Sequence, residues 1–148
     1  MKAVLCHAFG DPDTLTVEDV PSPALEAGTV KIKVRAAGVN FPDLLMVQGL
    51  YQMKPSFPFS PGIEVAGDII EVGDGVEKRK VGDRVIGILL YGGFAEEAVI
   101  PAFMTISMPD TMPYEDGAVF PVVYGTSHIA LWDRAKLQAG ETLLVLGA

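Results

Sequence analysis

Over the first hundred residues, hydrophobic and polar positions alternate in short runs that are interrupted by glycine and proline. The clearest run is 30–36, where Val30, Ile32 and Val34 share one face and three cations occupy the other. Side chains alternate between the two faces of a β-strand, so this run predicts a half-buried antiparallel strand. Comparable apolar runs predict further strands at residues 1–9, 15–20, 63–72, 84–89 and 94–100. Short strands separated by turns are typical of a sandwich or a partly open barrel, so we expect a mainly β domain with a few helices.

Three segments carry the signals of helices. Asn40 can cap a helix over residues 41–48, a proline stands in its first turn, and Gly49 can end it. Pro113 begins a second segment whose first turn is acidic, which matches the positive end of a helix dipole. A longer helix is expected over residues 126–137.

The last residues of the chain have a different pattern. Residues 143–146 are apolar on both faces of a strand, as in the centre of a parallel sheet. Gly147 then stands where the first glycine of a dinucleotide-binding loop would be. We therefore expect a catalytic domain over 1–124 and, over 125–148, a linking helix and the first strand of a truncated Rossmann domain. The chain is accordingly expected to be the amino-terminal portion of a longer protein and to be inactive alone.

Composition and charge exclude several functional classes. Hydrophobic residues make up 49% of the chain, yet no run approaches the roughly 20 apolar residues of a membrane-spanning helix. The start lacks the apolar region of a secretory signal, so a cytoplasmic location is expected. The formal net charge of -8 disfavours nucleic acid and anionic membranes as partners. Cys6 is the only cysteine in the sequence, so no disulfide forms within the chain.

One glycine-rich segment carries a family resemblance. Residues 62–76 read GIEVAGDIIEVGDGV, which resembles the signature around a catalytic zinc ligand in medium-chain alcohol dehydrogenases. In those enzymes a histidine occupies the position of Ile63. A hydrocarbon side chain has no lone pair to donate to zinc. Glu64 is kept beside the lost ligand, which suggests a structural or supporting role that does not depend on a metal.

A second segment lacks the other expected ligand. Residues 37–43 read AGVNFPD, and Asn40 stands where the zinc enzymes have a cysteine thiolate. With further segments GLY at 49–51, KVGDRV at 80–85, GGFAE at 92–96 and YGT at 124–126, the chain resembles the zinc-free quinone oxidoreductase branch of the medium-chain dehydrogenase/reductase superfamily. The resemblance implies a GroES-like, partly open β-barrel. No zinc is expected, since two of the three catalytic ligands have no counterpart.

The resemblance also implies a chemistry and a cofactor. Oxidation of an alcohol needs a Lewis acid, whereas a quinone or a conjugated enone is already electrophilic. The expected reaction is hydride transfer from NADPH, with NADH possible, to such an acceptor. An enoyl-thioester reductase and a non-enzymatic protein that retains the fold are the alternatives. Dimers are common in the family, so a homodimer is possible.

Site residues are carried over from the family segments. Asn40 is expected near the nicotinamide ribose, with Asp43, Thr126 and Gly147 also on the cofactor side. Asn40 and Thr126 can each also cap a helix, with cofactor contact favoured for Thr126, and Asp43 also suits a helix dipole.

Three aromatic residues are assigned to the substrate pocket, and these are Tyr51, Tyr91 and Phe94. Tyr51 can stack on a quinone ring or donate a proton to its oxygen, although water could supply that proton instead. Tyr91 and Phe94 flank a pair of glycines, so a hairpin turn explains them equally well.

Overall fold

The computed structural model describes residues 1–147 and is built mainly from antiparallel strands. The strands are β1 (Lys2–Leu5), β2 (Thr16–Asp19), β3 (Thr29–Ala37), β4 (Glu64–Val72), β5 (Arg84–Ile88), β6 (Glu97–Pro101) and β7 (Thr105–Ser107). β1 and β2 form a two-stranded sheet, and the others form a five-stranded sheet in the order β6-β3-β4-β5-β7. The prediction of a mainly β, GroES-like domain with a few helices is confirmed. The sheets remain open and do not close into a barrel.

The main core lies on one face of the five-stranded sheet. Its buried members are Val30, Ile32, Val65, Ile69, Val85, Ala98 and Ile100. The sequence pattern placed Lys31 on a solvent-facing side of β3, and this was wrong. Lys31 is only 7% exposed, because its ammonium group bonds Glu71 at 2.6 Å and the Ser22 hydroxyl at 3.1 Å. A cation with hydrogen-bonding partners can be buried on a strand face that periodicity alone assigns to solvent.

The first helix is where the sequence placed it. α1 runs over Phe41–Val47, preceded by Asn40 in an extended conformation and followed by Gln48. The turn that follows α1 ends at Gly49, whose φ of 70° is one that glycine adopts at low cost.

The second and third predicted helices are joined in one continuous helical run over residues 114–134. It consists of α2 (Tyr114–Phe120), a π-helical segment (Pro121–Gly125), α3 (Thr126–His128) and a second π-helical segment (Ile129–Arg134). Thr126 therefore lies inside a helix and is not its N-cap, since its neighbours on both sides are helical. The sequence analysis predicted the two helices separately and predicted no helical structure between them.

The predicted strand after residue 140 is not present. Residues 141–146 form no strand, and the apolar residues 143–146 are exposed. An apolar strand of a parallel sheet needs neighbouring strands to pair its backbone groups, and none lies alongside this segment in the part of the chain that the structure describes. Within residues 1–147, every helix is too short or too polar to span a lipid bilayer.

Candidate functional site

The carboxylate of Asp43 anchors the start of α1 to the β-domain. Its Oδ2 accepts the backbone N–H of Asn40 at 2.8 Å, and its Oδ1 accepts the backbone N–H of Gly62 at 3.0 Å. Asp43 is only 2% exposed. Burial raises the pKa of Asp43 above its ordinary value, the two N–H groups oppose that rise, and the nearby charge of Glu64 adds to it. Asp43 thus fixes the helix start to the loop that leads into β4.

Gly62 is required at this position by its conformation and its surroundings. Its φ is 101°, which side chains rarely tolerate. A Cβ there would also lie 2.7 Å from the ring of Phe94 and 2.7 Å from the backbone nitrogen of Phe94. That nitrogen donates to Pro61 O at 2.9 Å. The close approach of the two loops therefore sets the position of the Phe94 ring.

Glu64 opens β4 and connects three parts of the chain. Its Oε1 accepts the side-chain Nδ2–H of Asn40 at 2.8 Å, and its Oε2 accepts the backbone N–H of Val122 at 3.0 Å. Its own backbone oxygen accepts the N–H of Gly38 at 3.1 Å. Glu64 is 1% exposed. A Cβ at Gly38 would collide with the Glu64 carboxylate and would lie 2.8 Å from Ala118 O, so the carboxylate occupies the space that this glycine leaves.

A cleft of about 430 Å³ lies beside α1. It is lined by Pro12, Leu15, Val39, Asn40, Phe41, Asp43, Leu44, Val47, Pro61 and Phe94. The lining is mostly apolar with a few polar groups, which is the usual character of a site for a small organic ligand. Three of the residues predicted from the sequence meet here, namely Asn40, Asp43 and Phe94. Their roles toward a ligand remain predictions.

The other predicted site residues lie outside this cleft. The Tyr51 ring packs against a cluster of Cys6, Met46, Val47 and Phe59, and the cleft shares Val47 with this cluster. Tyr91 lies edge-on to Phe59, with 6.3 Å between the ring centroids.

The two predicted cofactor residues nearest the C-terminus are not gathered here either. Thr126 is exposed on the helical run, and Gly147 is exposed with a φ of 73°. The structure therefore brings together the residues near α1 and leaves those after residue 125 apart from them.

The residues at the two lost ligand positions do not fit a zinc ion. Ile63 packs against the cluster around Met46 and offers no lone pair. The Asn40 amide is bound to Glu64. Within residues 1–147, no group of three or more His, Cys, Asp or Glu side chains is arranged to hold a metal ion.

The two hydrogen-bond partners of Glu64 were not predicted from the sequence. They were missed because Asn40 and Val122 are 24 and 58 residues away from it in sequence. The available signal was Pro121 within an otherwise helical pattern, since a proline there disturbs the backbone hydrogen bonds around it and favours side-chain acceptors nearby.

Comparison with known families matches the larger part of the chain to one domain. Residues 26–110 match the model described as the alcohol dehydrogenase GroES-like domain. The chain is 40% identical over 149 residues to the quinone oxidoreductase-like protein 2 homolog of Nematostella vectensis, covering 99% of this chain and 40% of that protein. It is 41% identical over 150 residues to the quinone oxidoreductase of Rattus norvegicus, covering 100% of this chain and 46% of that protein. The chain thus spans less than half the length of these curated relatives.

Solved structures give the same picture. The crystal structure of the human synaptic vesicle membrane protein VAT-1 homolog-like protein superposes with a TM-score of 0.90 at 33% identity, covering 93% of this chain and 45% of that one. The quinone oxidoreductase of Thermus thermophilus, whose structures include a complex with NADPH, superposes with a TM-score of 0.81 at 34% identity. That match covers 95% of this chain and 43% of the other.

Proposed function

This chain belongs to the alcohol dehydrogenase GroES-like domain family, in the quinone oxidoreductase branch of the medium-chain dehydrogenase/reductase superfamily, and we propose that it supplies the substrate cleft of a zinc-independent oxidoreductase. The proposed reaction is the NADPH-dependent reduction of a quinone or a conjugated double bond. The observation that carries this proposal is the hydrogen bond between Asn40 and Glu64. Asn40 stands where the zinc enzymes have a metal ligand, and its side-chain nitrogen is bound to a carboxylate of the same chain. Residues 1–124 are proposed as the catalytic domain, and residues 125–148 as the transition to a dinucleotide-binding domain.

The donor set at the cleft favours an acceptor that needs no metal. In the zinc enzymes of this superfamily, a Lewis acid lowers the pKa of the alcohol hydroxyl and holds the alkoxide. Asn40 and Ile63 do not provide ligands for one. A quinone carbonyl or a conjugated enone is electron-poor already, so the protein has only to bind it, orient it and exclude water.

The cleft residues have distinct parts in the proposed reaction. When bound, the nicotinamide cofactor supplies the hydride. The apolar walls, with Phe94 among them, hold the acceptor by burial and ring contact. Asn40 and Asp43 form the polar corner, with Asn40 proposed to contact the cofactor ribose. Thr126 and Gly147 are proposed as further cofactor contacts.

The proton that completes the reduction comes from water or from Tyr51. Substitution of Tyr51 by phenylalanine separates the two, because the ring stays in its apolar cluster while the hydroxyl is lost. A fall of at least about tenfold in kcat assigns the proton to Tyr51, as expected for loss of a general acid. An unchanged kcat assigns it to water.

NADPH is proposed ahead of NADH because the Thermus thermophilus relative was solved with NADPH. The test is titration of the full-length protein with each nucleotide, followed by nucleotide oxidation with 1,4-benzoquinone, a conjugated enone and crotonyl-CoA. Turnover with the quinone or the enone supports the proposal. Turnover with crotonyl-CoA alone would identify an enoyl-thioester reductase instead. Failure to bind either nucleotide would identify a protein that keeps the fold without the activity.

A further inference from the structure

Glu64 is a buried carboxylate that the proposed reaction does not use directly. It is 1% exposed, and none of the ion pairs found within residues 1–147 includes it. A buried charge without a countercharge is costly unless hydrogen bonds compensate for it. Its two oxygens are matched by two donors, Asn40 Nδ2–H and Val122 N–H.

A glutamine would fill almost the same volume without a charge. What it cannot do is accept on both sides, because one end of its amide is a donor. Glutamate is therefore suited to this position because both of its carboxylate oxygens accept, and each faces a donor, Asn40 Nδ2–H or Val122 N–H.

This arrangement determines which end of the Asn40 amide faces inward. An asparagine side chain carries a donor nitrogen and an acceptor oxygen of nearly the same shape, so packing alone does not distinguish its two orientations. A carboxylate oxygen can only accept, so the nitrogen must point at Glu64. The oxygen of the amide is then turned away from Glu64, toward the backbone N–H of Asp43, with which Asn40 forms a capping box. Because Asn40 lines the cleft, this orientation decides whether the cleft offers an acceptor or a donor.

We propose that Glu64 is a positioning residue, which holds the Asn40 amide so that its oxygen accepts a hydrogen bond from a hydroxyl group of the bound cofactor. The second contact, from Val122 N–H to Oε2, holds Glu64 in place. Val122 follows Pro121 at the point where the helical run changes from α to π geometry. Through these two hydrogen bonds, Glu64 connects the polar corner of the cleft to the helical run. Thr126, another predicted cofactor residue, lies on that run. The inference rests on the proposed function, because it assigns a ligand to the cleft.

Three variants of the full-length protein test the orientation. In Glu64→Gln, the introduced amide keeps its oxygen toward Val122 and presents its nitrogen to Asn40, so the Asn40 amide turns over and offers a donor to the cleft. In Asn40→Asp, two carboxylates face each other. In the double variant, the introduced glutamine donates to the introduced carboxylate, whose second oxygen again faces the cleft as an acceptor.

The readout is NADPH affinity measured by fluorescence titration, together with KM and kcat for 1,4-benzoquinone. Each single variant is expected to bind NADPH about tenfold more weakly, the usual effect of losing one hydrogen bond and leaving its partner unmatched. The double variant is expected to return to within about threefold of the wild type. Wild-type affinity in Glu64→Gln, or a double variant at least as weak as the weaker single variant, would overturn the proposal. If Glu64 only holds the helix, NADPH binding would be weak in both Glu64→Gln and the double variant.

A cofactor-free measurement keeps this inference separate from the proposed function. In ¹⁵N-labelled wild-type protein, the side-chain amide protons of Asn40 are expected to exchange slowly, and in Glu64→Gln they are expected to exchange rapidly. Rapid exchange in the wild type would contradict the orientation even where NADPH binds. Slow exchange in a protein that binds no nucleotide would support the orientation and refute the proposed function. If the Glu64→Gln variant does not fold, the wild-type exchange rate decides alone.

Discussion

The side-chain nitrogen of Asn40 lies 2.8 Å from a carboxylate oxygen of Glu64, and this hydrogen bond links the cleft to the interior of the β-domain. Glu64 is buried at the start of β4, whereas Asn40 stands immediately before α1 and lines the cleft. In zinc enzymes of this superfamily, the position of Asn40 belongs to a metal ligand. Here an amide held by a carboxylate takes that position, so the polar corner of the cleft is organised by hydrogen bonds.

Gly38 is expected to be required for this arrangement. Substitution of Gly38 by alanine places a methyl group against the Glu64 carboxylate and 2.8 Å from the backbone oxygen of Ala118. The carboxylate is held by its hydrogen bonds and Ala118 by its helix, so neither can easily move aside. We expect the free energy of unfolding to fall by about 1–3 kcal/mol, as for other overpacked sites. Urea denaturation of the purified protein measures this change.

Gly125→Ala is the matched control for that substitution. Gly125 lies in the helical run with a φ of -62°, and a Cβ there would meet nothing within 4 Å. Its replacement is expected to leave the free energy of unfolding unchanged or to raise it by about 0.5–1 kcal/mol, because alanine stabilises a helix more than glycine does. Equal destabilisation by the two substitutions would show that the space beside Glu64 is not filled as described.

We expect Asp43 to make the stability of the protein depend on pH. Burial raises the pKa of Asp43 above its ordinary value of 3.8, so the folded protein binds this proton more tightly than the unfolded chain does. The contribution of Asp43 to the free energy of unfolding therefore decreases as the pH rises from 3.8 through the raised pKa, and it is constant above that window. Relative to Asp43→Asn, the wild type is expected to lose stability over that window.

Urea denaturation at a series of pH values measures that difference. The exposed Asp13, replaced in the same way, serves as the control for the removal of one carboxyl group. A difference between wild type and Asp43→Asn that increases with pH would mean that the hydrogen bonds from Asn40 and Gly62 outweigh burial.

The Tyr114 hydroxyl is expected to protect the fold against acid. It donates to Asp68 and accepts from Arg84 Nε at 3.1 Å, which fastens the start of α2 to the sheet. Burial opposes ionisation of Asp68, but hydrogen bonds from Tyr114 and Arg35, with the charges of Arg35 and Arg84, lower its pKa below 3.8. The resulting stability is present above pH 3.8 and is lost as the pH falls through the lowered pKa.

Replacement of Tyr114 by phenylalanine should reduce stability by about 1.5–3 kcal/mol near neutral pH, the typical cost of losing a hydroxyl that bonds a charged group. The difference from wild type should shrink as the pH falls below 3.8. Tyr124→Phe is the control, since Tyr124 is 61% exposed. If the stability difference between wild type and Tyr114→Phe stays constant as the pH falls through the lowered pKa, the Tyr114 hydroxyl does not act through the ionised form of Asp68.

Phe94 is expected to contribute to acceptor binding in the full-length protein. Its ring lines the cleft, so Phe94→Leu should raise KM for 1,4-benzoquinone about two- to tenfold, the range that one aromatic ring contact supplies. Phe103→Leu is a matched control, because Phe103 is 85% exposed and lies away from the cleft. Equal KM values for the two variants would place the quinone elsewhere.

Local signals in the sequence were sufficient for much of the fold. Asn40, the proline that follows it in the first turn, and Gly49 marked α1 correctly, because capping and turn chemistry act within a few residues. The pattern around Glu64 suggested a structural or supporting role, and the absence of a metal stays a prediction.

What the sequence did not reveal depends on contacts between distant segments. Lys31 is buried because Glu71 lies on the neighbouring strand β4, and the register of the two strands is not visible in a run of alternating residues. Val122 reaches Glu64 only because the helical run returns to the start of β4. Residues 141–146 carry the apolar pattern of a strand but form none, since a strand requires hydrogen-bonding neighbours as well as a pattern.

The most direct test of the central claim is zinc analysis of the purified full-length protein combined with NADPH-dependent quinone reduction before and after treatment with a chelator. We expect zinc far below one ion per chain, and quinone turnover that the chelator does not change. About one tightly bound zinc per chain, as in a closed metal site, with turnover lost on chelation and restored by zinc, would contradict the account.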